Sequence, residues 1–434
     1  MKVLVADEDS GSIKEIVFEK GTDTSQKTAK QPISTTTFGQ LGRARYTQKL
    51  ALINGGKHVM TARSDGSVQI YSLHDSEEPL HEWGPGTTTT TSNSATDRVV
   101  ELLVLPQLSK KEKEPVVVLS CSLEGKIVKF SLAAKYSESV TDSLTVKGPV
   151  DAIAVREGSA TPGYASFVAA VGGQERETEI YKFEWATASA GIKQEEGEED
   201  AKSIATSLWQ ARNVKNDRLH LRVPVWIRHI AFLPAAADNL YKLQIVTRSG
   251  LVRFYDSTEG RRPRQEVRAS HEPVSTVAYS PATGDVVVSD TKSSTYLLSP
   301  QDSGAKGAAA AAPLKMRGKL TGSTGAVKAL ALYGPHAELI VAGGLDRYLR
   351  VFENGAERAC VGKVFVGTHI TAIAVISGFE DEAGEVADVA AAAVGVKRER
   401  EDNDDEEGDE LWNELEEVSN ATATKSKKKK TRAE

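Results

Sequence analysis

The densest set of residues able to make directed polar contacts lies in Trp209-Gln-Ala-Arg-Asn-Val-Lys-Asn-Asp-Arg-Leu-His-Leu-Arg-Val-Pro-Val-Trp226. Arg212, Lys215, Arg218 and Arg222 set four cations against the carboxylate of Asp217. Guanidinium and ammonium groups in this arrangement suit RNA phosphates or an acidic protein patch, because hydrogen bonds assisted by charge are short and strong. The plainer alternative is a structural loop whose arginines pair with neighbouring carboxylates and whose tryptophans pack between adjacent elements. A net local charge of about three corresponds to a salt slope of only roughly −2 on single-stranded RNA, so this stretch would be one contact among many.

Reaction chemistry has no signature in the chain. There is no Walker loop, no nucleophile elbow and no His-Glu-x-x-His pair. The eight histidines are scattered without metal spacing, and the acidic Asp402–Gly408 lacks the ligand order of a calcium loop. Asn420-Ala-Thr422 fits a glycosylation sequon but falls in a stretch that reads as intracellular. With only Cys121 and Cys360, no disulfide framework or thiolate zinc cluster can be built. The expectation is a protein without enzymatic activity, catalytic residues, cofactor, metal or small-molecule substrate.

A net charge of −6 argues against a general nucleic-acid coat while allowing local basic patches. The N-terminus turns acidic at Asp7, too early for a signal-peptide core. No run of eighteen apolar residues would span a membrane. A soluble intracellular protein is expected.

Beyond Gly378 the composition changes. An Ala-rich stretch leads to Lys397, Arg398 and Arg400, then to an acidic run over 401–410, and finally to Lys425, Lys427, Lys428, Lys429 and Lys430. These basic residues resemble a nuclear-localisation element, with a solvated basic tail as the alternative. In Asp409-Glu-Leu-Trp-Asn-Glu-Leu-Glu-Glu-Val418, Leu411, Leu415 and Val418 share a face at helical spacing beside Trp412. That face suits a docking helix, or else a transient helix that binds nothing. Residues 378–434 are therefore read as a disordered tail.

The elements that must position residues 209–226 repeat. Gly343-Gly-Leu-Asp-Arg-Tyr-Leu-Arg-Val-Phe-Glu353 is a tight turn followed by an alternating strand. The unit recurs at Arg63–Tyr71, Cys121–Phe130 and Thr247–Asp256, and more loosely at Asp9–Phe18, Gly172–Trp185 and Ser289–Ser299. Two short apolar runs precede each one. In the last copy the strands are Val327–Leu332, Glu338–Ala342, Tyr348–Phe352 and Cys360–Val366, four in roughly forty residues, which is one blade of a β-propeller.

Comparable sets begin near Lys49, Val99, Val150, Trp226 and Pro273. A seventh is split: Ile370–Ile376 has no blade after it, while Lys2–Val5 and Ile13–Phe18 have no inner strand before them. The all-β, seven-bladed propeller over 1–377 should thus close by pairing of its N-terminal and C-terminal strands, which removes exposed edges. Polar or Gly/Ala-rich insertions at Thr87–Thr96, Gly191–Lys202 and Gly304–Ala312 read as mobile loops. Connections between blades share a face with the turns between second and third strands. The 209–226 segment should therefore lie beside Asp65, Ser249 and Asp346.

The turn-strand units resemble WD repeats, with Tyr255-Asp256 and Phe352-Glu353 where that family often has Trp-Asp. The usual Gly-His pair is mostly absent, which puts the buried network that the His would anchor in question. A closer likeness is carried by Asp9–Glu15 with Gly21–Ser25, by Ala211-Arg-Asn-Val-Lys-Asn216-Asp-Arg218 running into Arg222–Trp226, by Gly343-Gly-Leu-Asp346-Arg347-Tyr348, by Asp409–Asn413 and by the terminal lysines. Together they are similar to the nucleolar WD-repeat family of Nop-seven-associated protein one, whose animal members are known as WD-repeat protein seventy-four.

The resemblance implies a WD40-like propeller that acts as an assembly factor on precursors of the large (60S) ribosomal subunit in the nucleolus and nucleus. It also implies other assembly factors, ribosomal proteins and ribosomal RNA as partners, and a AAA-type ATPase that later strips the factor off. Contact candidates on this basis are Arg212, Lys215, Asn216, Asp217, Arg218, Arg222, Trp226, Asp346 and Arg347. The rival expectation, which the fold alone leaves open, is a propeller adaptor of a ubiquitin ligase or a chromatin complex.

Overall fold

Val3 and Val5 pack toward one neighbouring sheet and Leu4 toward the other. Period-two alternation normally separates core from solvent. Here both sides of strands such as Lys2–Asp7 and Val286–Asp290 are core, because each small sheet is sandwiched between two others, while outer strands such as Ser34–Phe38 stay largely exposed. The computed structural model describes residues 1–74, 78–84, 98–105, 116–133, 135–158, 164–186, 204–216, 218–235, 237, 239–301 and 314–379. The expected insertions at Thr87–Thr96, Gly191–Lys202 and Gly304–Ala312 lie outside these residues, as do Asp217 and the whole stretch 380–434.

Seven antiparallel sheets with four blade strands each follow one another, six of them built from consecutive strands. Blade 1 consists of Ile370–Ser377, Lys2–Asp7, Ile13–Val17 and Ser34–Phe38. Blades 2 to 7 start with the inner strands Thr47–Ile53, Val99–Val104, Ala152–Glu157, Ile227–Leu233, Val274–Tyr279 and Val327–Tyr333. Each inner strand touches the next, and the inner strand of blade 7 touches Ile370–Ser377, so the ring closes. The first strand, Lys2–Asp7, pairs with Ile370–Ser377 as the unmatched apolar runs predict, with Leu4 opposite Ala374 and Val5 opposite Ile373.

A second closure was not foreseen. Residues 19–33, inside blade 1, cross to blade 7, where Thr22 and Asp23 run parallel to Gly362 and Lys363 as a fifth strand. Thr24 Oγ1 also accepts the Phe365 amide at 2.7 Å. This covers an edge that would otherwise be open to pairing with another chain.

The core is divided among the seven blade junctions. One apolar cluster fills each, from Phe18 with Val351 between blades 1 and 7 to Leu4 with Val59 between blades 1 and 2. The turns are held without the histidine of the WD pattern. Asp65 Oδ1 accepts the Ser67 amide at 3.0 Å, and Asp290 Oδ1 accepts three amides, from Lys292, Ser293 and Ser294, each at 2.9 Å. In blade 2 a buried arginine takes the anchoring role: Arg63 donates to the Arg45 carbonyl at 2.5 Å, to Gln69 Oε1 at 3.1 Å and to the Gln40 carbonyl at 3.0 Å. Gly250 shows why one such turn needs glycine. Its φ is 81°, and a Cβ there would collide with the Ser270 carbonyl.

Candidate functional site

The segment after Gln210 is fixed at its start to the third strand of blade 4, Arg176–Ala186, and at its end to turns between second and third strands. At its start the Ala211 amide donates to the Thr178 carbonyl at 2.8 Å. At its end the Glu175 amide donates to Val225 O at 2.8 Å and the Arg248 amide to Trp226 O at 2.7 Å. Asp65, Ser249 and Asp346 occupy turns of the same kind in blades 2, 5 and 7, on the same side of the ring.

Within the segment, some polar residues shape the loop. Asn213 Nδ2 donates to the Val223 carbonyl at 2.7 Å, and Asn216 Nδ2 to the His220 carbonyl at 2.9 Å. His220 closes that turn with φ 61°. Arg212, Lys215, Arg218 and Arg222 are exposed and, among the described residues, form no ion pair. Leu219 and Leu221 stand out beside them, 75% and 60% exposed.

Two further cations join this surface from the next blade. Arg261, in the connection after Leu251–Asp256, accepts the Arg212 amide on its carbonyl at 2.7 Å and donates its Nε to the Gln210 carbonyl at 2.6 Å. Arg262 donates Nε to the Asn213 carbonyl at 3.3 Å. Both are satisfied by neutral carbonyls, so their charge remains uncompensated by any carboxylate among the described residues. The sequence signal was the run Arg261-Arg262-Pro-Arg264, about fifty positions from the segment it braces. Beneath the patch, burial pushes the Glu177 carboxyl above its usual range, and Arg253 and Arg222 pull the other way.

Asp346 and Arg347 have different placements. The Asp346 carboxylate is 6% exposed, meets Arg350 Nη1 at 2.5 Å and accepts the Thr324 and Tyr348 amides. It therefore holds its own turn. Arg347 is exposed, with φ 63°.

Trp226 belongs with a second group at the mouth of the central channel. Its indole Nε1 donates to Asp151 Oδ2 at 2.8 Å, and the Arg248 guanidinium lies 4.4 Å from its ring centroid. Asp151, 3% exposed, also meets Arg98 at 3.1 Å and Arg228 at 3.7 Å through Oδ1. Sequence reasoning missed Asp151, Arg98 and Arg228. Their signal was a charged residue at or next to the start of successive inner strands, visible only once the ring brings those starts together. The basic candidates Lys397, Arg398, Arg400, Lys425, Lys427, Lys428, Lys429 and Lys430, with Leu411, Trp412 and Leu415, lie outside the described residues.

Among the described residues no cluster of His, Cys, Asp and Glu has the arrangement of a metal site. No helix there is long and apolar enough to cross a membrane. The surface offers fixed cations and hydrogen-bond donors, the equipment for binding anions.

No family model matches the chain. Over 438 aligned positions it is 30% identical to the ribosome biogenesis protein NSA1 of Yarrowia lipolytica, covering 96% of this chain and 95% of that one. The protein of the same name in Saccharomyces cerevisiae is 25% identical over 488 positions, covering 99% of each. Among solved structures, Chaetomium thermophilum Raptor is similar at TM-score 0.50 and 10% identity, over 75% of this chain and 25% of that one. At that identity the likeness concerns the fold alone.

Proposed function

The chain belongs to the family of the ribosome biogenesis protein NSA1, and from that premise we propose that it is a scaffold without catalytic activity in assembly of the large (60S) ribosomal subunit. The end-to-end likeness to relatives bearing that name carries the reading. The closed ring supports it physically: a stiff body with many separated contact points gains affinity through effective concentration, even when each contact is modest.

On this reading the protein docks on large-subunit precursors through the face that carries 211–224. Arg212, Lys215, Arg218, Arg222, Arg261 and Arg262 contact ribosomal RNA phosphate, next to assembly factors and ribosomal proteins. The propeller over 1–377 is the docking body, and residues 378–434 serve nuclear and nucleolar entry through the basic clusters. The helix-spaced Leu411, Trp412 and Leu415 serve as a handle, and a AAA-type ATPase drives release.

The test is to purify the tagged full chain from growing cells and sequence the RNA that accompanies it. Precursors of the large-subunit RNAs are expected. Their absence, or recovery of ligase or chromatin subunits instead, would reject the reading.

A further inference from the structure

All seven inner strands contribute to one cavity of about 530 Å³ at the centre of the ring, on the side of Trp226 and Arg248. Its volume is in the range of sites that hold small groups. Its charges are unevenly satisfied. Lys49 is paired with Glu101 at 3.0 Å and Arg98 with Asp151 at 3.1 Å. Arg228 shares that same Asp151 carboxylate at 3.7 Å, so two arginines divide one anion, and Arg248 and Lys328 are left along the lining against Glu8 alone.

Hydrogen bonding points the same way. Arg228 Nη2 donates to the Ser275 carbonyl at 2.9 Å, yet its buried Nε faces no acceptor among the described residues. His229 Nδ1, on the same wall, is also buried without a partner there. Arg248 has an aromatic face beneath it but no carboxylate among the described residues. A buried donor left unmade costs about 1–3 kcal/mol, so a ligand that supplies an acceptor has something to gain.

We propose that this channel mouth receives an acidic side chain from an extended segment of a partner protein, with Arg228 and Arg248 holding the carboxylate beside Trp226 and His229. A nucleic-acid backbone fits less well. Its charge repeats at every nucleotide, whereas this lining interleaves Glu8, Glu101 and Asp151 with the cations and would repel a continuous polyanion. One or two carboxylates flanked by uncharged residues match the alternation. The inference uses none of residues 211–224 and stands or falls separately from docking through that patch.

The experiment measures fluorescence anisotropy of a dye-labelled Gly/Ser peptide carrying two adjacent glutamates, its glutamine counterpart, and an oligouridine, each titrated with the full chain. The glutamate peptide should bind roughly tenfold more tightly than the glutamine form, the scale of one charge-assisted contact. Arg248→Glu should remove that preference, and Arg222→Glu should keep it. Arg248→Met, which retains packing on Trp226, serves if the reversal disturbs folding. Equal binding of the two peptides would overturn the proposal. So would a preference that survives both Arg248 variants, or oligouridine that binds more tightly through Arg248.

Discussion

Trp226 Nε1 donates to Asp151 Oδ2 at 2.8 Å across the boundary between blades 4 and 5. The bond joins the last residue of the exposed 209–226 segment to a carboxylate that is 3% exposed and also gathers Arg98 and Arg228. The candidate docking face and the channel mouth are therefore built on a shared support. Asp151→Ala would leave two arginines without their anion and should cost about 3 kcal/mol, the usual penalty for breaking a buried pair. Trp226→Phe removes one donor and keeps a ring under Arg248, so about 1 kcal/mol is expected. Urea unfolding of both variants checks the order, and equal losses would contradict it.

His229 gives a pH dependence with a defined sign. Burial holds its imidazole neutral, down to a pKa of about 4, with Glu101 and Lys49 across the channel as opposing minor influences. The unfolded chain binds this proton below about pH 6.5 and the folded one does not, so stability is lost as pH falls from 6.5 toward 4. The loss at the lower end is on the order of 3 kcal/mol. His229→Gln should flatten that part of the profile in thermal melts recorded across pH 4 to 7.5, about the span over which histidine titrates.

Glu177 runs in the opposite sense. Its carboxyl is pushed up by burial, so ionisation disfavours the folded state. Its contribution is favourable below the ordinary carboxylate range and is lost as pH rises through the shifted value. Glu177→Gln should raise the melting temperature at neutral pH and leave it unchanged in acid. A variant that melts lower at neutral pH would show that the carboxylate is held by Arg222 and Arg253 more firmly than burial opposes it.

Ring closure rests partly on Phe18, which is fully buried between blades 1 and 7 and meets Phe379 edge-on at 5.9 Å. Phe18→Ala should cost about 3–5 kcal/mol, as emptied aromatic sites in cores do. The same clusters recur at all seven junctions, so loss at one should lower the whole unfolding transition. A local opening that leaves the main transition unmoved would mean the blades unfold independently.

Much of this architecture was legible because period-two strands and Asp- or Gly-marked turns are local signals. Ile370–Ile376 announced closure by being an apolar strand with no blade to join. Thr22 and Asp23 gave no such sign, since a two-residue polar strand has no periodicity, although Gly21–Ser25 already stood out in the family likeness. The candidate segment 209–226 stood out by its own charge density. Arg261 and Arg262 were not, because their link to it runs through backbone carbonyls of residues 210 and 213 that no sequence pattern marks. Asp151 was missed for a related reason: a lone acid before an inner strand acquires meaning only when seven such strands converge.

The six cations of the exposed face predict a measurable salt response. If all contact phosphate, the slope of log affinity against log salt on single-stranded RNA should be roughly −4, against roughly −2 for a segment of net charge about three acting alone. Arg261→Ala with Arg262→Ala should reduce the slope toward the lower value in filter-binding titrations.

The central claim is that the face carrying residues 211–224 is what the assembling large subunit grips. The direct measurement is gradient sedimentation of the full chain with Arg212, Lys215, Arg218 and Arg222 all changed to Glu, beside the unaltered protein. The account predicts that the unaltered protein travels with large-subunit precursors and that the variant, still melting as a folded propeller, stays at the top of the gradient. Undiminished co-migration of a folded variant would place the grip on another surface and contradict the account.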